Sequence, residues 1–138
     1  MTQTFTASVR GWSQKALNNT ELVLRGSIQD TAELMTRRQA SVKETGGAFK
    51  VGFVPVDEGE LINSQQVEIN GGVVGTGDVS YAALIAGLDL GDVFQAVFTA
   101  EHARPQEYGT SKFPGRFFVR NAVQQWDVIV QQNAAQFR

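Results

Sequence analysis

At 138 residues the chain has room for one domain with a hydrophobic core of useful size, and not for two. Apolar residues make up 42% and charged residues 19%, too apolar for disorder, and a net charge of −2 offers no basic excess to hold nucleic acid by its phosphates. The absence of cysteine excludes disulfides and thiolate chemistry, and a single histidine would leave zinc to carboxylates, a rare arrangement.

The opening MTQTFTASVRGW has no apolar run behind its charge, so no signal peptide is expected. No stretch nears the roughly 20 apolar residues that span a bilayer, and the expectation is a soluble chain made in a reducing cytoplasm. Over residues 8–38 the apolar positions are Val9, Trp12, Ala16, Leu17, Leu24, Ile28, Ala32 and Met35. Their steps of three, four and seven describe one face of a helix, with Lys15, Asn18, Arg25, Gln29, Glu33 and Arg37 on the other. Such a helix would run about 46 Å, against a radius of gyration of roughly 14 Å for a compact chain of this length. Either it bends, at Gly11 or Gly26, or it projects and is covered by another subunit.

Residues 39–60 lose the period and form a long loop, with a short hairpin around residues 49–53 as the alternative. Loops this long bind something or are disordered. Asp57, Glu58 and Glu60 are close enough together to hold a hard cation, but the preferred reading is a turn bent by Pro55 and Gly59 with its acids in solvent. Residues 61–101 read as three to four antiparallel strands. SQQVEING alternates and ends in Asn70-Gly71, a hairpin signal, and GVVGTG returns. VSYAALIAG and DVFQAVFTA read as two further strands around an LDLGD turn, with Val93, Gln95 and Val97 opposite Phe94, Ala96 and Phe98. The glycines of GGVVGTG lack the Lys-Ser/Thr ending and the following helix of a phosphate loop.

PQEYG, at 105–109, predicts a single helical turn opened by proline and closed by glycine. A C-terminal helix follows over 118–136, with Val119, Ala122, Val123, Trp126, Ile129, Val130 and Phe137 as its stripe. The predicted fold is therefore α+β: a long N-terminal helix and a C-terminal helix packed on a small antiparallel sheet, in a single domain spanning 1–138. The sheet keeps free edges, which tend to find partners.

Catalytic chemistry finds little purchase. Glu101 and His102 are the one conceivable acid–base pair, but neighbours on a strand point to opposite faces. No nucleophile–base–orienter set assembles. Tyr108, Phe113, Phe117 and Phe118, with Arg116 and Arg120, put aromatics and arginines around one loop, a composition that interface centres favour. The two arginines either pair with acids of a neighbouring chain or face solvent.

Two patches then resemble a known pattern. VPVDEGELINSQQVEING resembles the TPVDTGxLRxS segment of the tail-completion (head–tail joining, neck) proteins of long-tailed phages. FTAEHARPQEYGTSKFPGRFFVRNAVQQW resembles the same family's YAxxxEyGT…RPFxRxA segment, in the same order and spacing. Pro55, Val56, Asp57 and Gly59 match the family's turn, Leu61 and Ser64 the following strand, and Glu107, Tyr108, Gly109 and Thr110 the second signature. Arg116, Phe118, Arg120 and Ala122 match the helix start, while Glu58 replaces the usual threonine and Phe117 the usual helix-opening proline.

The resemblance implies a structural virion protein with no chemistry and no cofactor or metal. Its copies would form a ring, usually of six, at the junction of tail and head, after assembly in the host cytoplasm. The partners implied are further copies of itself, the head connector or adaptor, and the tail tube or tail terminator protein. Genome DNA would pass through the channel without specific binding, and no membrane is involved. The implied interface comprises Pro55, Asp57, Gly59, Leu61, Glu107, Tyr108, Gly109, Thr110, Phe113, Arg116, Phe118 and Arg120. A tail terminator ring is the close alternative. A small hydrolase using His102 and a monomeric ligand-binding domain with 39–59 as its lid are the remote ones.

Overall fold

The computed structural model describes residues 4–40, 51–56, 59–112 and 114–137. Its longest element, α1, spans Phe5–Met35 and stays helical through both Gly11 and Gly26. Thr4 opens it: the residue is extended, and its Oγ1 accepts a 3.1 Å hydrogen bond from the Ala7 amide, satisfying one of the first-turn donors that a helix leaves unpaired. At the other end the Thr36 amide and hydroxyl both donate to the Ala32 carbonyl.

The segment expected as an irregular loop carries a strand at each end. β1 (Arg38–Ala40) pairs in parallel with β2 (Val54–Val56), Arg38 opposite Val54 and Ala40 opposite Val56. The expected hairpin begins within residues 41–50, and the carboxylate set includes Asp57 and Glu58; these residues lie outside the described ones, as does Phe113.

A 3-10 turn at Ile62–Ser64 leads into β3 (Gln65–Ile69), β4 (Gly72–Thr76) and, later, β5 (Phe94–Phe98), which form one antiparallel sheet in the order β4-β3-β5. Asn70 and Gly71 make the two-residue hairpin turn with φ of 53° and 81°, the left-handed pair that a type I′ turn requires. Asn70 also fastens the turn to the next strand. Its Oδ1 accepts from the Val93 amide at 2.9 Å, and its Nδ2 donates to Asp92 Oδ1 at 3.0 Å. On β5 the alternation appears as expected, with Phe94, Ala96 and Phe98 half-buried and Gln95 and Val97 exposed.

VSYAALIAG is not a strand. Tyr81–Ile85 is a short helix, α2, and LDLGD therefore links a helix to β5 rather than one strand to another. Tyr81, Ile85 and Leu88, spaced by four and three, all enter the core, while Ala82, Ala83 and Ala86 face out. Short apolar runs are ambiguous in period, and here three good helix formers on the outside decide the outcome. The remaining elements are α3 (Ala103–Tyr108), α4 (Phe118–Gln124) and α5 (Trp126–Gln136). The single C-terminal helix expected over 118–136 is thus interrupted at Gln125 (φ −92°, ψ 3°), where the Gln125 amide closes a tighter turn onto the Ala122 carbonyl.

Two clusters make the core. Ala32, Val67, Tyr81, Ile85 and Leu88 join α1, β3 and α2, and Val54, Leu61, Ile62 and Phe118 join β2, the 3-10 turn and α4. A buried polar chain connects them. The Tyr81 hydroxyl donates to Gln65 Oε1 at 2.5 Å, and Gln65 Nε2 donates to the Ile62 carbonyl at 2.8 Å. Burial first, and the Asp78 carboxylate second, push the Tyr81 phenol up to about 12. On the far side of α1, α5 comes so close that a Cβ on Gly26 would stand 2.4 Å from Asn133 Oδ1. Asn133 is held there by donating to Asp30 Oδ2 (3.0 Å) and to the Ile129 carbonyl (2.9 Å).

Candidate interaction surface

The signature around EYGT and FPGRFF folds into an interlock. Gly109 ends α3 with a φ of 82°, and its amide donates to the Pro105 carbonyl at 2.7 Å. The chain then doubles back: Gly109 bridges Pro114, the Arg116 amide donates to Gln106 O (2.8 Å), and the Phe117 amide to Glu107 O (3.1 Å). Gly115 lies against that backbone so closely that a Cβ would meet Glu107 O at 2.5 Å and Tyr108 C at 2.6 Å. No side chain fits.

Glu107 serves the same interlock. It is 6% exposed, and its two carboxylate oxygens accept from the Val119 and Arg120 amides at 2.9 and 2.8 Å. Those are first-turn amides of α4, and a carboxylate beside them also complements the helix dipole. Phe117, at the N-cap, has no side-chain acceptor and sits in the left-handed region (φ 50°, ψ 39°), at a cost of about 1 kcal/mol. A distant glutamate thus does the work that an N-cap serine or aspartate does elsewhere. The φ of Phe117 also explains why this chain has no proline there, since proline is confined to negative φ.

Arg116 is similarly engaged inside the chain. Its Nε donates to Gln106 Oε1 (3.2 Å) and its Nη1 to Gln39 Oε1 (2.8 Å), while its carbonyl accepts from the Gly52 amide (2.6 Å). Burial pushes the guanidinium below its ordinary value. The structure gives this arginine internal partners, tying α3, β1 and the 51–53 segment together. Leu61 and Phe118 are core residues, and Phe118 meets Phe98 edge-on at 5.2 Å. Of the twelve positions read as interface, Tyr108, Thr110 and Arg120 are exposed, and Pro55, Gly59 and Gly109 are half-buried. Tyr108 lies under the Arg104 guanidinium at 5.7 Å, and Arg120 lies over the Phe117 ring at 5.7 Å. Asp57 and Phe113 lie outside the described residues.

His102 precedes α3 without capping it through its side chain. Glu107, a carboxylate five residues further on, has both oxygens engaged by the first-turn amides of α4. Among the described residues no group of three or more histidines and carboxylates could hold a metal ion.

The surface that stands out lies outside the twelve positions read as interface. Phe5, Val9 and Trp12 precede Val23, Ser27 and Asp30 by eighteen residues each, about five helical turns, so both triplets occupy one face of α1. Ser27 is fully buried and Asp30 holds Asn133 of α5. Phe5 is 84% exposed and Trp12 71% exposed, and Val9, Leu17 and Leu22 are exposed beside them. Hence α1 projects: its first half carries two aromatics that each bury about 150–250 Å² when covered, and among the described residues they stand exposed. The signal was legible as excess helix length. No family model matches this chain, and neither does any curated protein or solved structure. Among the described residues no helix is long and apolar enough to cross a membrane.

Proposed function

We propose that this chain is a structural subunit of the phage neck, forming a ring, of six copies on the family pattern, that completes the tail and joins it to the head connector. The single observation that carries this is the bare aromatic face on the first half of α1. Monomers rarely leave contiguous apolar surface of this kind open, and where they do it marks an association site. The two ordered signatures supply the class of particle, and the α+β architecture is the one they imply. A heterologous contact repeated by rotation closes a ring, and a net charge of −2 per copy would let DNA pass without adhering.

Sedimentation and electron microscopy of the purified protein test it. Rings around a central hole are expected, with Trp12→Lys remaining monomeric and folded. Wild-type protein that is still monomeric at millimolar concentration, or turnover that is lost in His102→Ala, would contradict it.

A further inference from the structure

Among the described residues the three-stranded sheet has two unpaired edges, and they are unlike each other. On β5 the pairing with β3 fixes which backbone groups are used. Asn70 N donates to Val93 O at 2.8 Å and Thr99 N to Ser64 O at 2.9 Å. With the register Gln66↔Val97 and Glu68↔Gln95, the odd residues of β5 are therefore the hydrogen-bonded ones in an antiparallel pair. Phe94, Ala96 and Phe98 turn their amides and carbonyls the other way. Among the described residues no backbone bond reaches them. Two hollows border these residues, one of about 160 Å³ with Met35, Phe94 and Trp126 in its walls and another of about 300 Å³ with Phe98, Tyr108 and Val119, and Ala96 lines both.

The second edge is on β4. Ile69↔Gly72 and Val67↔Gly75 use the inward groups, and the register shifts between Val67 and Glu68, so Val73 and Thr76, opposite Glu68 and Gln66, turn outward on either side of a bulge at Val74. Val73 and Val74 are both exposed.

Building on the ring proposed above, we infer that the free edge of β5 in one copy pairs with the free edge of β4 in the next, so that successive three-stranded sheets join into one. An outward row of alternating donors and acceptors is matched by an extended strand and not by a helix. This chain carries a second free edge of its own on β4, where Val73 and Thr76 turn outward on either side of the bulge and Val73 and Val74 are exposed. Direction agrees as well. β4 and β5 both run antiparallel to β3, so they run parallel to each other, and rotation about a ring axis preserves that sense. The joining pair is parallel. A two-fold dimer would instead pair β5 with β5, antiparallel.

The absence of cysteine makes the test direct. V73C is mixed in turn with V97C and with Q95C, all three on exposed positions, and oxidised gently. Mixed dimers are expected in one of the two mixtures, and the corresponding double variant should give a ladder ending at the ring size. V97C or Q95C linking efficiently to itself would establish two-fold pairing and overturn the inference. Rings that are visible by microscopy but never cross-link would overturn it while leaving the ring intact. A monomer at millimolar concentration would remove both.

A second variant guards against misfolding. Ala96→Pro deletes an amide that β3 does not use, so the far-UV spectrum should persist while the dissociation constant for assembly rises at least tenfold. Undiminished assembly of Ala96→Pro also overturns the inference.

Discussion

The two halves of α1 present one face to two different surroundings. From Val23 onward that face is built of small or polar residues, Gly26, Ser27 and Asp30, and α5 approaches until Asn133 touches the place where a Cβ would be. Before it, the same face carries Phe5, Val9 and Trp12, all exposed among the described residues. Small residues permit close helix contact; bulky aromatics suit a separate pocket. Residue size along one stripe thus changes where its surroundings change, and the bare half suits the contact with another copy proposed above.

The contrast can be sharpened first by truncation. Met35→Ala, in the packed half, should cost about 2–4 kcal/mol of unfolding free energy in a denaturant titration of the monomer. Trp12→Ala, with more atoms removed, should stay within about 0.5 kcal/mol. Equal losses would mean that the first half is covered after all.

The interlock offers a similar pair of neighbours. Glu107→Ala leaves two first-turn amides of α4 without their acceptor and should cost about 2–3 kcal/mol, whereas exposed Tyr108→Ala should change stability by less than about 0.5 kcal/mol. Comparison of melting curves decides this. A negligible effect at Glu107 would return that carboxylate to the list of functional groups.

Glycines give a smaller and opposite-signed comparison. Gly11→Ala meets nothing within 4 Å and should stabilise the helix by about 0.5–1 kcal/mol. Gly26→Ala gains the same propensity but displaces Asn133 from its bonds to Asp30 and Ile129, for a net loss of about 1 kcal/mol. The smallest effect is alkaline. The folded state holds the Tyr81 phenol protonated to about 12, against its ordinary value of 10.0. Its contribution to stability is therefore complete below pH 10 and is lost as pH rises through about 12. Ultraviolet titration should show a phenol ionising late, and Tyr81→Phe should remove that step.

These contrasts also show what was legible in the residues alone. The Asn70-Gly71 turn, the alternation on β5 and the length of α1 were readable because each depends on local period or backbone chirality. The helical state of Tyr81–Ile85 was not, since its apolar run fits either period and only the core position of Leu88 separates them. The role of Glu107 was illegible for another reason: the helix it caps begins eleven residues later in the chain, and no local pattern links a carboxylate to a turn that distant. The same holds for Gly115, whose constraint is a backbone met only after folding. Glu107, Gly115 and Arg116 of the signature are held by contacts inside the chain, while the bare stripe of α1 was announced by the excess length of the helix.

The most direct measurement is amide hydrogen exchange along α1, followed by mass spectrometry across the concentration range of assembly. Residues 26–35, already packed on α5 and α2, should exchange at the same slow rate throughout. Residues 5–22 should exchange rapidly in the monomer and slow by about a hundredfold or more once copies associate. Assembled protein in which residues 5–22 still exchange as in the monomer would contradict the claim that another copy covers this half of the helix.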